Sequence, residues 1–149
     1  MLSSFNVLTI HMEPKLFVAT KAFINHRGKI LILRESNTYT DGTNTEKYDV
    51  AGGRLTPGEK FNDALQREIK EETGLDVDIG KPFHAGEWRP VVRGEQWQVV
   101  GIFFECFAKS DEVILSEDHN GYEWIDPKHY AEFNIIDNLA TAFEAYSNK

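Results

Sequence analysis

Apolar and polar positions alternate with runs along this chain in a way that predicts its elements. After a short segment ending near Pro14, the run Leu16-Phe17-Val18-Ala19-Thr20-Lys21-Ala22-Phe23-Ile24 is rich in β-branched and aromatic residues and predicts a strand. Asn25-His26-Arg27-Gly28 predicts a turn, and Lys29-Ile30-Leu31-Ile32-Leu33-Arg34 the returning arm of a hairpin. Glu35 to Lys47 is polar and predicts a surface loop, after which Tyr48-Asp49-Val50-Ala51 predicts a short strand running into Gly52-Gly53. Thr56-Pro57-Gly58 supplies a turn. From Phe61 to Thr73, the spacing of Phe61, Ala64, Leu65 and Ile69 gives one face of an amphipathic helix, with Gly74 as a left-handed stop.

Further strands are expected at Val77-Asp78-Ile79, from Pro82 to Trp88, from Trp97 to Ala108, and at Tyr122-Glu123-Trp124-Ile125. Ile135, Leu139, Ala142, Phe143 and Tyr146 stand at helical spacing and predict a closing helix from Ile135 to Tyr146. Strands gathered around one central helix predict an α/β or α+β fold with helices covering a mixed sheet. No internal repeat or low-complexity tract interrupts the pattern.

Composition narrows the picture. A chain of 149 residues with 41% hydrophobic and 12% aromatic content falls in the range of one domain with one core, so residues 1–149 are expected to form a single domain. Sixteen Lys and Arg against 24 Asp and Glu give a formal charge of −8, which opposes non-specific attraction to nucleic-acid polymers or anionic membranes. A small anionic substrate would then need cations to dock. Cys106 is the sole cysteine, which excludes an intrachain disulfide and a cysteine metal cluster and suits a reducing compartment. The N-terminal residues lack a basic start and a sustained apolar stretch, and no window approaches the roughly 18 apolar residues of a membrane span, so a soluble, cytoplasmic protein is expected. The apolar residues Phe5, Val7, Leu8 and Ile10 are candidates for an edge strand or for contact across a homodimer.

Candidate chemistry sits on the central helix. Glu68, Glu71 and Glu72 are spaced i, i+3 and i+4, so their carboxylates project from one side. Three like charges so close either face solvent or hold cations, and hard oxygen donors of this type suit Mg²⁺, with Mn²⁺ as a substitute. A glutamate cluster alone is an ordinary feature of surface helices. The frame around it is not: Gly53, five residues, Glu59, seven residues, Arg67-Glu68-Ile69, one residue, Glu71-Glu72, one residue, Gly74-Leu75. At average residue frequencies such a match arises by chance on the order of once in a billion starting points.

This frame, over residues 53–75, resembles the Nudix box, and the chain looks like a Nudix hydrolase of the MutT-like kind. The resemblance implies an α/β/α sandwich with a mixed sheet, in which the box forms a loop-helix-loop. It implies that Glu68 and Glu72 are the principal metal ligands, joined by Glu71 and by the Gly53 carbonyl, and that Arg67 orients one of the glutamates through charge-assisted hydrogen bonds. Glu59 is left as a ligand, a stabilising partner or a proton acceptor. Ala51 stands where the family often has proline.

The implied reaction is hydrolysis of a pyrophosphate bond in a nucleoside diphosphate linked to another moiety. Water made acidic by the cations would attack one phosphorus in line while a carboxylate takes the proton. That base is either a box glutamate or an acid of the loop Leu115-Ser116-Glu117-Asp118-His119, with Asp118 the candidate where family members more often carry glutamate. Outside the box, Trp88, Arg89, Arg93 and Trp97 combine flat faces with positive charge, against the ordinary alternative of strand packing and a hairpin tip at Gly94. Arg34 and Arg54 join Trp88, Arg89 and Trp97 as candidate substrate contacts. Pro90, fifteen residues beyond Leu75, resembles a feature of ADP-ribose-cleaving members. Nucleoside triphosphates, ADP-ribose and nucleotide sugars are alternative substrates. An isomerase of the isopentenyl-diphosphate type, with Cys106 as its thiol, and a non-catalytic ligand-binding domain are the alternative classes.

Overall fold

The structure is a computed structural model that describes residues 13–36 and 45–149. The N-terminal residues Phe5, Val7, Leu8 and Ile10 and most of the expected 35–47 loop lie outside the described residues. Strand β1 (Lys15–His26) turns at Arg27-Gly28 into β2 (Lys29–Glu35). Arg27 and Gly28 both have positive φ, as a tight hairpin turn requires. Short strands β3 (Tyr48–Asp49) and β4 (Gly52–Arg54) precede helix α1 (Phe61–Thr73). Then come β5 (Val77–Trp88), β6 (Val91–Val92), β7 (Glu95–Ala108) and β8 (His119–Ile125). A 3-10 helix (Pro127–Glu132) leads to helix α2 (Asp137–Ser147).

The sheet runs β3-β2-β1-β7-β5, with β8 also on β2 and β4 on β1. β1 and β7 are parallel from Lys15↔Trp97 to Asn25↔Phe107, whereas β1–β2, β2–β8, β1–β4 and β5–β7 are antiparallel, so the sheet is mixed. Side-chain alternation builds two cores from the same strands. Ala22, Ile24, Leu31, Leu33, Phe104 and Cys106 pack with Leu65 and Ile69 of α1 on one face. Phe23, Ile30, Ile32 and Phe103 pack with Leu139, Ala142 and Phe143 of α2 on the other. The expected α/β/α sandwich is therefore present.

α1 spans the predicted residues, buries Ala64, Leu65, Ile69 and Thr73, and ends on Gly74 at φ 72°, whose N–H donates to the Lys70 carbonyl. Three expectations are corrected. The separate strands at 77–79 and 82–88 are one strand, β5, whose register against β7 shifts between Ile79 and Pro82 and again before His84. Pro82 interrupts the pattern in sequence and is absorbed by this irregularity. The 48–51 strand is cut after Asp49, because the Asp49 carboxylate takes the Val50 N–H. The closing helix begins at Asp137, since Ile135 is held in a bridge to Tyr48 and the Ile136 N–H donates to the Tyr48 carbonyl. Among the described residues no helix is long and apolar enough to cross a membrane.

Candidate active site

A cavity of about 600 Å³ lies where β1, β4, α1 and the β5–β7 hairpin meet. One end is lined by Lys21, Gly52, Gly53, Glu68 and Glu72, with Asp118 also on the wall; the other by Phe17, Arg54, Trp88, Pro90, Arg93 and Trp97. On β1 the alternate residues Phe17, Ala19 and Lys21 line it, and the next in that series, Phe23, enters the core.

Gly52 and Gly53 bring the backbone against the carboxylates of α1. The Gly52 N–H donates to Glu72 Oε2 at 3.0 Å. A Cβ on Gly53 would stand 2.9 Å from the Glu68 carboxylate. Burial pushes the Glu72 carboxyl up to about 8, against the opposing pull of the Gly52 N–H and Lys21. Burial also raises Glu68, with Arg67 opposing it.

Arg67 gathers acidic side chains beside the cavity. Its Nη2 lies 3.0 Å from Glu59 Oε2, and its Nη1 lies 3.3 Å from Glu68 Oε1 and 3.4 Å from Glu71 Oε2. Glu59 and Glu71 thus meet Glu68 through the guanidinium, and neither lines the cavity, unlike Glu68 and Glu72. Among the described residues no three His, Cys, Asp or Glu side chains converge as a set that could by itself hold a metal ion. The residues nonetheless fit a hard divalent cation. The donors on the wall are oxygens, the glycine backbone leaves room beside Glu68, and Glu72 is a part-buried carboxyl whose ionised form nearby positive charge would favour.

The candidate substrate contacts divide. The Arg54 guanidinium lies 4.5 Å from the ring centres of both Phe17 and Trp97, whose rings are themselves 4.6 Å apart. Trp88 lies across Gly101, where a Cβ would overlap the indole, and it packs on the α2-side core while lining the cavity. Arg93 and Gly94 form the hairpin tip between β6 and β7, both at positive φ. Arg34 is turned to Asn120, with its Nε 2.8 Å from Asn120 Oδ1, and Arg89 is paired with Glu87 at 2.9 Å; neither lines the cavity.

Lys21 and Phe17 were not singled out as site residues in the sequence. The signal for Lys21 was present: a lysine inside an otherwise apolar strand, which the structure leaves only 9% exposed and pairs with Asp49 at 2.9 Å. Phe17 is indistinguishable from a core residue until its neighbours are known. Cys106 is fully buried in the core and burial pushes its thiol up to about 12, which argues against its use as a reactive group.

A cavity lined by Glu68 and Glu72 at a glycine loop and helix, with Phe17, Arg54 and Trp97 at its other end, brings oxygen donors and a cationic aromatic wall to one place. A family model of the NUDIX domain matches residues 16–145, and the chain belongs to that family of hydrolases of phosphoric anhydride bonds. The nucleoside triphosphatases NudI of Escherichia fergusonii and Escherichia coli are each 28% identical over 102 residues, spanning 64% of this chain and 71% of theirs. The crystal structure of a MutT protein from Methanosarcina mazei superposes with a TM-score of 0.80 at 26% identity, covering 91% of this chain and 96% of that one. A MutT Nudix hydrolase from Burkholderia pseudomallei has a TM-score of 0.73 at 21% identity, covering 88% and 98%, and shares the fold.

Proposed function

We propose that this protein is a Mg²⁺-dependent pyrophosphohydrolase, with Mn²⁺ as a substitute, cleaving a nucleoside diphosphate linked to another moiety. The observation that carries this reading is one cavity holding Glu68 and Glu72 at one end and the Phe17–Arg54–Trp97 stack at the other. The first suits the cations that a diphosphate requires, and the second suits a planar base with an adjoining negative charge.

Glu68 and Glu72 would hold the cation, with the Gly53 carbonyl beside Glu68 and Glu71 reached through Arg67. Such a cation, when bound, neutralises phosphate charge and makes water a better nucleophile. Arg67 fixes Glu68 and Glu71 in position, and Glu59 holds Arg67 in turn. Asp118, on the cavity wall, is the proton acceptor we favour, because it lines the cavity without an ion pair among the described residues. Trp88 and Trp97 flank the base, and Arg54 meets phosphate. Arg34 and Arg89 are left to longer substrates that reach beyond the cavity.

A second reading, nucleoside triphosphate hydrolysis, is favoured by the likeness to the NudI nucleoside triphosphatases. The experiment that tests both is product release from nucleoside triphosphates, ADP-ribose, nucleotide sugars and dinucleoside polyphosphates, each with Mg²⁺, Mn²⁺ or chelator. Cation-dependent turnover of one group names the substrate class. Absence of turnover across the panel overturns the enzymatic reading for these substrates.

A further inference from the structure

Lys21 is a charged residue in an improbable place. It stands in the middle of β1, directly across from Gly52 in the β1–β4 register, and Gly52 is the residue whose N–H holds Glu72. Its side chain is 11% exposed, and Lys21 lines the cavity. Burial works against the ammonium, yet Asp49 at 2.9 Å, with Glu72 and Glu68 nearby, keeps it above the ordinary lysine range and therefore cationic. An ion pair buried this way adds little stability over apolar packing, so stability is a weak reason for its presence. Position is a better one. Of the three cationic side chains on the cavity wall among the described residues, Arg54 and Arg93 lie toward the aromatic end, and Lys21 lies at the carboxylate end.

We infer that Lys21 is a direct phosphate contact of the hydrolytic reaction, with Asp49 as the residue that positions it. The inference rests on the pyrophosphohydrolase reading above. An ammonium has three donors. Asp49 Oδ2 takes one and, among the described residues, no other acceptor takes the rest. They are left for phosphate oxygens of a substrate lying beside Glu68 and Glu72, which line the same cavity. In the reaction, water oxygen forms a new bond to one phosphorus while the bridging P–O bond breaks, and the bonding pair leaves on the departing phosphate. The water proton goes to a carboxylate. Lys21 transfers no proton; its hydrogen bond strengthens as negative charge collects on the phosphate oxygens.

A mere charge-balancing role makes a different prediction, which the double variant K21M/D49N separates. It removes both charges of the buried pair together and is expected to melt within a few degrees of the unaltered protein. As a phosphate contact, Lys21 must still be missed: kcat/KM falls ~100-fold on whichever nucleotide the unaltered enzyme cleaves, and calorimetric affinity for inorganic pyrophosphate falls ~10-fold. D49N alone is expected to lower kcat, and K21R to recover part of the loss. Unchanged kcat/KM and pyrophosphate affinity in K21M/D49N would overturn the inference. Should that variant not fold, the ¹⁵N-labelled ammonium signal of Lys21 in the unaltered protein decides. Inorganic pyrophosphate is expected to shift it, and an unmoved signal at saturation overturns the contact. Pyrophosphate binding tests Lys21 whether or not the proposed nucleotide substrates are turned over, so failure of one reading is distinguishable from failure of the other.

Discussion

The Gly52 N–H and Glu72 Oε2 meet at 3.0 Å, tying the glycine loop to the helix that carries the carboxylates. Glu72 is thereby fixed at the cavity wall in surroundings that disfavour its charge, and burial raises it to about 8. Positive charge beside such a carboxylate favours its ionised form, and this one contact joins the fold to the chemistry proposed for it.

E72Q should therefore separate function from stability. Turnover is expected to fall at least ~1,000-fold, since the proposed cation ligand is lost. Stability of the metal-free protein should move the other way. A carboxyl raised above its unfolded value keeps its proton in the folded state after the unfolded chain has released it. Its contribution is therefore full below about 4.5 and is lost as pH rises toward about 8. Thermal melts in chelator at pH 5 and pH 8.5 check this: E72Q and the unaltered protein should melt within ~2 °C at the lower pH, with E72Q higher by several degrees at the upper. An equal difference at both values would remove burial of the charge as the cause.

Arg67 offers a contrasting case. It is exposed and bridges Glu59, Glu68 and Glu71. Such a surface network contributes little to stability, while its geometry orients the carboxylates. R67A is expected to lower kcat ~10- to 100-fold with little change in melting temperature, and R67K to recover only part, since an ammonium cannot span three carboxylates as a planar guanidinium does. Steady-state kinetics beside a thermal melt measure both; a large fall in melting temperature with unchanged kcat would assign Arg67 to the fold instead.

The carboxylate end of this candidate site was legible in the sequence as a grouping, because its residues come from one helix and one loop. Glu68, Glu71 and Glu72 are near in space because they are near in sequence, and helical geometry supplies the rest. The strands β1, β2 and β7 were likewise visible as apolar runs, but not that their alternating side chains build two cores, one under each helix, where one core was expected. What local pattern cannot supply is contact between distant segments. Arg54 stacks on Phe17 and Trp97 because parallel pairing of β1 with β7 sets Lys15 beside Trp97. Arg34 looked free to meet substrate until β8 brought Asn120 to it. The 3-10 helix at 127–132 has too few turns to show periodicity.

The aromatic wall leads to a specificity prediction. Trp97 lies under the Arg54 guanidinium at 4.5 Å from its ring centre and lines the same cavity as Glu68 and Glu72. W97A should raise KM for a nucleotide several-fold while changing kcat much less, because the stack binds substrate and transition state alike. Inorganic pyrophosphate, which has no base, should bind W97A nearly as well as the unaltered protein. Comparing the two ligands on the one variant makes the test, and equal losses for both would show that Trp97 serves the structure of the cavity rather than the base.

Paired alanine substitutions in the glycine loop test how closely the backbone must approach the carboxylates. At Gly52, φ is +146° and a Cβ would overlap the Thr20 carbonyl, backbone that has nowhere to move. G52A is expected to destabilise the fold by ~2 kcal/mol or more, seen as a lower melting temperature even in chelator. At Gly53 the backbone is ordinary, and a Cβ would stand 2.9 Å from Glu68 Cδ, the far end of a side chain that can rotate away. G53A should therefore melt close to the unaltered protein, yet bind Mn²⁺ more weakly and turn over more slowly, because Glu68 leaves its place to make room. Mn²⁺ titration followed by electron paramagnetic resonance, alongside melting curves, distinguishes the two. If G53A kept full Mn²⁺ affinity, the geometry of Glu68 would not be what the glycine protects, and its assignment as a ligand would have to be given up.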